Sequence, residues 1–230
     1  MIGKLTTVSA ILAAAATTVN AHAFLETVTV GGSSFSKTDD NTPIWAWSPN
    51  NGPAATVEDI DNPNIACHAN AVPATNAPSV NAGGSVGFGW GQGLHKWGPF
   101  LTYAAKCDLG CDPNSAEFYK IGEINIDESG TWPVPKYVDA GQDVPVTLPS
   151  SMEPGTYLLR TENINLGAIP AEIYAGCVSV TVTGGGSGLQ GETVTFPGAY
   201  TGEEPGLTKQ PYDVKGPSDY NDLPGPAVAQ

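Results

Sequence analysis

The chain has 230 residues with 9 Lys+Arg against 23 Asp+Glu, a net charge of −14 and an isoelectric point near 4.3. A surface this acidic repels phosphate backbones and excludes nucleic acid as a partner, while 40% hydrophobic residues exclude disorder of the whole chain. Its 28 Gly and 20 Pro interrupt long helices and favour short strands joined by turns.

The first predicted element is a targeting segment. Lys4 is the only charge before Glu26, and the small apolar run from Leu5 to Ala16 leads to Ala21. A basic start, a greasy centre and small residues at the cut describe a secretory signal peptide over residues 1–21. The run is too short to cross a bilayer, which takes roughly 20 apolar residues. Cleavage after Ala21 makes His22 the new amino terminus, whereas cleavage after Ala23 makes it Phe24. The first cut leaves 209 residues, 8 basic against 23 acidic, net −15. The expected product is secreted, extracellular and monomeric, with no membrane span and no Asn-x-Ser/Thr sequon.

Next come short alternating runs that predict strands: Leu25–Val30, Ser85–Trp90, Phe100–Ala104, Phe118–Ile126, Val144–Leu148, Thr156–Thr161 and Val178–Thr183. Turn clusters such as Ser48-Pro49-Asn50-Asn51-Gly52 and Glu153-Pro154-Gly155 separate them. No stretch carries an apolar stripe at helical spacing. The expected fold is all-β, an antiparallel sandwich of immunoglobulin or fibronectin type with long loops, over residues 22–183. Gly184-Gly185-Gly186-Ser187-Gly188 reads as a flexible linker. Beyond it, Phe196, Tyr200, Tyr212 and Tyr220 predict that residues 184–230 form an arm docked on the same domain, with no separate carbohydrate-binding module after it. Trp45, Trp47, Trp90 and Trp132 are expected in packing.

Four cysteines in an oxidising compartment predict two disulfides. Three pairings are possible. The close spacing of Cys107 and Cys111 makes a local clip natural, which leaves Cys67 and Cys177 to tie an early loop to a late strand. Zinc is disfavoured because the spacings do not match its sites.

Histidine occurs three times, as His22, His68 and His95. At a processed terminus, His22 offers its amine and its imidazole to one metal. An amine with an ordinary pKa near 7.7 loses its proton to a metal easily. One further imidazole, from His68 or His95, completes three nitrogens in the tetragonal arrangement that suits Cu(II). Carboxylates such as Glu162, Glu123, Asp127 and Glu128 invite a glycosidase pairing, but in so acidic a chain such pairs arise by chance. No Gly-x-Ser-x-Gly elbow or phosphate-binding glycine loop is present.

Ten ordered segments then point to one family. They include His22-Ala23-Phe24-Leu25-Glu26, Asn64-Ile65-Ala66-Cys67, Gly98-Pro99-Phe100-Leu101-Thr102-Tyr103, Pro154-Gly155-Thr156-Tyr157-Leu158-Leu159-Arg160, Glu172-Ile173-Tyr174-Ala175-Gly176-Cys177 and Phe196-Pro197-Gly198-Ala199-Tyr200. Across the whole mature chain the sequence resembles the fungal lytic polysaccharide monooxygenases of auxiliary activity family 9. The resemblance implies one copper ion per chain, held by His22 and His95 with Tyr174 as the axial oxygen and Glu172 beside it. It also implies disulfides Cys67–Cys177 and Cys107–Cys111, and a substrate surface carrying Tyr212 and, more weakly, Tyr220. The implied reaction is oxidative cleavage of β-1,4-glucan at C1 or C4, with O2 or H2O2 and an external reductant, small molecule or protein.

Three positions depart from the family's pattern. His95-Lys96-Trp97-Gly98-Pro99 is one residue longer than the usual His-x-Gly-Pro, so His95 is expected to sit on a bulge. Gly167 stands where the family has histidine, and Glu172 where it has glutamine. These changes leave a second expectation, a secreted copper-binding or glucan-surface protein on the same scaffold with little turnover.

Overall fold

The computed structural model describes residues 24–47 and 52–230; the signal-peptide expectation, His22 and the Ser48–Asn51 turn lie outside them. Among the described residues, eleven strands make two sheets. The smaller is built from β1 (Leu25–Val30), β2 (Ser33–Ser36), β5 (Ser85–Trp90) and β8 (Val144–Thr147), in the order β2-β1-β5-β8. The larger orders β11 (Thr193–Val194), β7 (Phe118–Ile124), β6 (Phe100–Lys106), β9 (Gly155–Asn165), β10 (Glu172–Thr183) and β3 (Ala55–Thr56). All these pairs are antiparallel, while β4 (Ser79–Asn81) adds in parallel to the far end of β10. No helix among the described residues is long and apolar enough to cross a membrane.

Alternation decides which side chains face inward. β5 buries Val86, Phe88 and Trp90, and β1 buries Leu25, Val28 and Val30. They meet Phe100, Ala104, Leu159, Tyr174, Val178 and Val180 of the larger sheet in the core between the sheets.

β9 and β10 depart from simple alternation because both their faces are buried. The outer face is covered by a second apolar layer in which Trp45, Ile65, Leu101, Tyr103, Phe118 and Ile173 pack against Phe196, Tyr200, Leu207 and Tyr220 of the C-terminal segment. Each such aromatic or aliphatic side chain contributes roughly 1.5–3 kcal/mol on burial, enough to hold a segment with little regular structure. The glycine run is no loose linker: Gly186 and Gly188 donate to the carbonyls of Met152 and Ser151. Trp45, Trp90 and Trp132 are buried.

Disulfides join Cys67 to Cys177 and Cys107 to Cys111. The first pins the Ile65–Cys67 turn onto β10. Arg160 of β9 lies wholly buried beneath that turn, with Nε donating to the Ile65 and Ala66 carbonyls at 3.1 and 3.0 Å. Its Nη2 pairs with Glu162 Oε2 at 2.6 Å. Tyr200 donates to the other Glu162 oxygen, and the guanidinium stacks 3.6 Å from the Phe196 ring centroid. Glu162 is therefore enclosed in an ion pair and is no glycosidase acid. Glu123 faces Lys120, and Asp127 is held by Ser129, Thr131 and Lys136.

Candidate metal centre

One end of the sandwich carries Phe24, the 91–99 loop with His95, and Glu172 and Tyr174 of β10. The Phe24 carbonyl accepts the Gly91 N–H at 2.9 Å, so the start of β1 lies beside the 91–99 loop. Leu25 also rests on Gly176 of β10, where a side chain has no room: a Cβ at 176 would lie 3.0 Å from Leu25 Cβ. Ahead of β6, the carbonyls of Pro99 and Trp97 accept the N–H groups of Ile164 and Leu166, each at 3.1 Å. Pairing with β9 thus continues beyond the end of β6 and delivers half-buried His95 to the same end. The β9–β10 register sets Tyr174 opposite Asn163, and Glu172 opposite Asn165. Directly opposed residues project from the same face.

Tyr174 is 1% exposed and its hydroxyl donates to Glu172 Oε2 at 3.1 Å. Burial, reinforced by the Glu172 charge and by this hydrogen bond, pushes the phenol well above the usual tyrosine range, so it keeps its proton. The same carboxylate oxygen accepts Asn165 Nδ2 at 2.7 Å. Asn165 is fully buried, and its Oδ1 accepts the Gly167 N–H at 2.8 Å. Sequence reasoning missed Asn165 because it ended the strand at Thr161. The available signal was the two-residue spacing of Asn163 and Asn165.

His68 is not available as a ligand. Its Nδ1 accepts the Ala69 N–H at 2.8 Å, so the proton sits on Nε2 and points to the Gly52 carbonyl at 3.2 Å. Both ring nitrogens are engaged within the fold. Burial holds the His68 pKa below its ordinary value, and the Gly52 bond only partly opposes this. Between the two values the unfolded chain binds a proton that the folded one refuses, so stability is lost as pH falls from about 6.5 through the folded value. Replacing His68 by Asn, which tolerates the positive φ of 77°, should shrink the drop in Tm between pH 7 and pH 5. An unchanged drop in thermal melts would contradict this.

The departures in the 95–99 loop and at Gly167 are two halves of one arrangement. A Cβ on Gly167 would lie 2.7 Å from Trp97 Cε3, so the indole occupies the volume that a side chain at 167 would need. Trp97 also meets Tyr212 edge-on, with centroids 5.3 Å apart, and Lys96 Nζ lies 5.3 Å from the Trp97 ring. Tyr212 is 63% exposed and suits a surface role. Tyr220 does not: it is 2% exposed, packs edge-on against Trp132 and donates to the Gly206 carbonyl. Its sequence position resembled a surface aromatic, but burial makes it an anchor of the arm. Among the described residues no three His, Cys, Asp or Glu side chains cluster to hold a metal. His95 and Tyr174 would therefore need a further donor to complete a centre.

Comparison with known proteins agrees with this architecture. The model of Auxiliary Activity family 9 (formerly GH61) matches residues 22–220. The chain is 34% identical over 229 residues to AA9 family lytic polysaccharide monooxygenase C of Geotrichum candidum, covering 90% of this chain and 42% of that protein. It is 34% identical over 228 residues to monooxygenase D of Gloeophyllum trabeum, covering 91% and 64%. It thus spans about two fifths to two thirds of the length of these curated relatives. A solved glycoside hydrolase family 61 member from Hypocrea jecorina superposes with a TM-score of 0.80 at 25% identity, over 90% of this chain and all of that one. By family model, relatives and fold together, this chain belongs to auxiliary activity family 9.

Proposed function

We propose that the protein is a secreted, monomeric, copper-dependent lytic polysaccharide monooxygenase that cleaves β-1,4-glucan, with the mature chain beginning at His22. One observation carries this: Phe24, the first described residue, lies on the same end of the sandwich as His95, Tyr174 and Glu172. His22 is two residues upstream, within about 7 Å of Phe24 by chain length alone.

The donors fit copper. His95 brings an imidazole, and a processed His22 brings an amine and a second one, the nitrogen set Cu(II) favours. Tyr174, held protonated by burial and by Glu172, would offer the metal a weak, neutral oxygen. When bound, copper supplies one-electron redox chemistry with an external reductant and activates O2 or H2O2 for oxidation at C1 or C4. The remaining work belongs to the chain's own groups. Glu172 keeps the Tyr174 proton directed at itself, and its charge favours the more positive state of a nearby metal. Tyr212 and Trp97 offer aromatic surface to glucose rings on an open face, where a crystalline polymer has access.

The test is direct. Copper-loaded mature protein incubated with cellulose and a reductant should release aldonic or C4-keto oligosaccharides. Their absence, even with added peroxide, would leave only a copper-binding protein. The intact mass of the exported chain should correspond to a start at His22; a start at Phe24 removes the amine ligand altogether. Tyr212→Ala and Trp97→Ala should each weaken retention on cellulose about 5- to 10-fold, equivalent to ~1–1.4 kcal/mol, as read by depletion isotherms.

A further inference from the structure

We propose that Asn165 is a positioning residue whose side-chain amide aims the Glu172 carboxylate at the Tyr174 hydroxyl. Its bearing on catalysis rests on Tyr174 being the oxygen nearest the copper, as proposed above.

The hydrogen-bond inventory fixes the orientation of Asn165. Gly167 N–H requires an acceptor and the carboxylate requires a donor, so Oδ1 must face Gly167 and Nδ2 must face Glu172. A flipped amide would present oxygen to the carboxylate. Glu172 in turn receives two protons at one oxygen, from Asn165 Nδ2 at 2.7 Å and from the Tyr174 hydroxyl at 3.1 Å. A half-buried carboxylate without the first donor turns more readily toward water, and the phenol then loses this hydrogen bond. Asn165 itself has no freedom: it is fully buried. The backbone N–H that anchors it belongs to Gly167, the residue on which Trp97 packs. Rigid packing of this kind is what makes an outer partner effective on the group it serves.

The experiment exchanges donor and acceptor. Asn165→Asp sets two carboxylates face to face while keeping the acceptor for Gly167. In the Asn165→Asp/Glu172→Gln pair, the amide stands at 172 and the carboxylate at 165, which restores one donor to one acceptor and leaves an oxygen for the phenol. Asn165→Leu, similar in volume and neutral, removes both bonds without adding charge and serves if the acidic variant does not fold. Two signals are read in folded protein: the Tyr174 Cζ resonance of 13C-tyrosine-labelled, metal-free protein, and the Cu(II) hyperfine splitting of the loaded protein by EPR.

Asn165→Asp and Asn165→Leu are expected to shift the Cζ resonance and the splitting, and the exchanged pair to recover most of both shifts. A Cζ resonance unmoved by either single variant overturns the proposal. So does an exchanged pair that recovers thermal stability but not the Cζ shift. If the Cζ shifts follow the expected pattern while wild-type Cu(II) gives a spectrum indifferent to His95→Ala, the positioning role stands and the metal assignment fails.

Discussion

Replacing His95 by alanine should abolish tight Cu(II) binding and leave the fold intact. His95 precedes β6 in a loop, is half-buried, and contributes nothing to the core between the sheets. Outer-shell partners alone are worth roughly 10- to 100-fold in metal affinity, so loss of a nitrogen ligand should exceed about 100-fold. Competition against a chelator of known affinity measures this, with thermal melts as the check on folding. His68→Asn is the matched control, because both His68 nitrogens are already bonded within the protein; it should leave copper affinity unchanged. If the His95 variant holds copper as tightly as the parent, the assignment of the second imidazole is wrong.

The largest effect on stability should come from Glu162→Gln. This change leaves the Arg160 guanidinium fully buried opposite a neutral amide. Removing one partner of a buried ion pair costs about 3–5 kcal/mol, because the remaining charge stays desolvated without compensation. At roughly 2–4 °C per kcal/mol for a chain of this size, Tm should fall by about 10 °C. Arg160 still donates to the Ile65 and Ala66 carbonyls, which keeps the loss at the lower end. Exchanging both residues for apolar ones, Arg160→Met with Glu162→Leu, should cost less than Glu162→Gln alone, since no charge is then stranded. At temperatures where it is folded, the Glu162 variant should keep its copper signal, because Glu162 projects from the opposite face of β9 to the Asn163–Tyr174 pair. A small Tm change in the single variant would show that water reaches this pair.

How much of this was legible in sequence varies by region. The strands over Leu25–Val30 and Ser85–Trp90 were, because each lies in a sheet with one buried face: Ser85–Trp90 alternates cleanly, and Leu25–Val30 does so from Val28 on, past an irregularity after Leu25. The ends of β9 and the start of β10 were not. There the strands continue through Glu162, Asn163, Asn165, Glu172 and Tyr174, which read as loop by composition. The structure buries or half-buries these groups against partners from other segments, Tyr200 for Glu162, the Pro99 carbonyl for Asn163 and Glu172 for Asn165, a pairing invisible to local pattern. Tyr212 and Tyr220 show the same limit. Tyr212 sits in a short 3-10 turn of the arm and Tyr220 directly after another, yet one is 63% exposed and the other 2%, with Trp97 beside the first and Trp132 beside the second.

From sequence alone came the acidic, turn-rich, two-disulfide character of the protein, the small choice of imidazoles and the family likeness, since these depend on residue type, order and spacing along one chain. Only the tertiary structure tied up both ring nitrogens of His68, filled the space at Gly167 with Trp97, and joined Asn165 to Glu172 and Tyr174. Those outcomes turn on which atoms meet after distant segments pair, and hydrogen bonds and steric contact act over a few ångströms in space, whatever the separation in sequence.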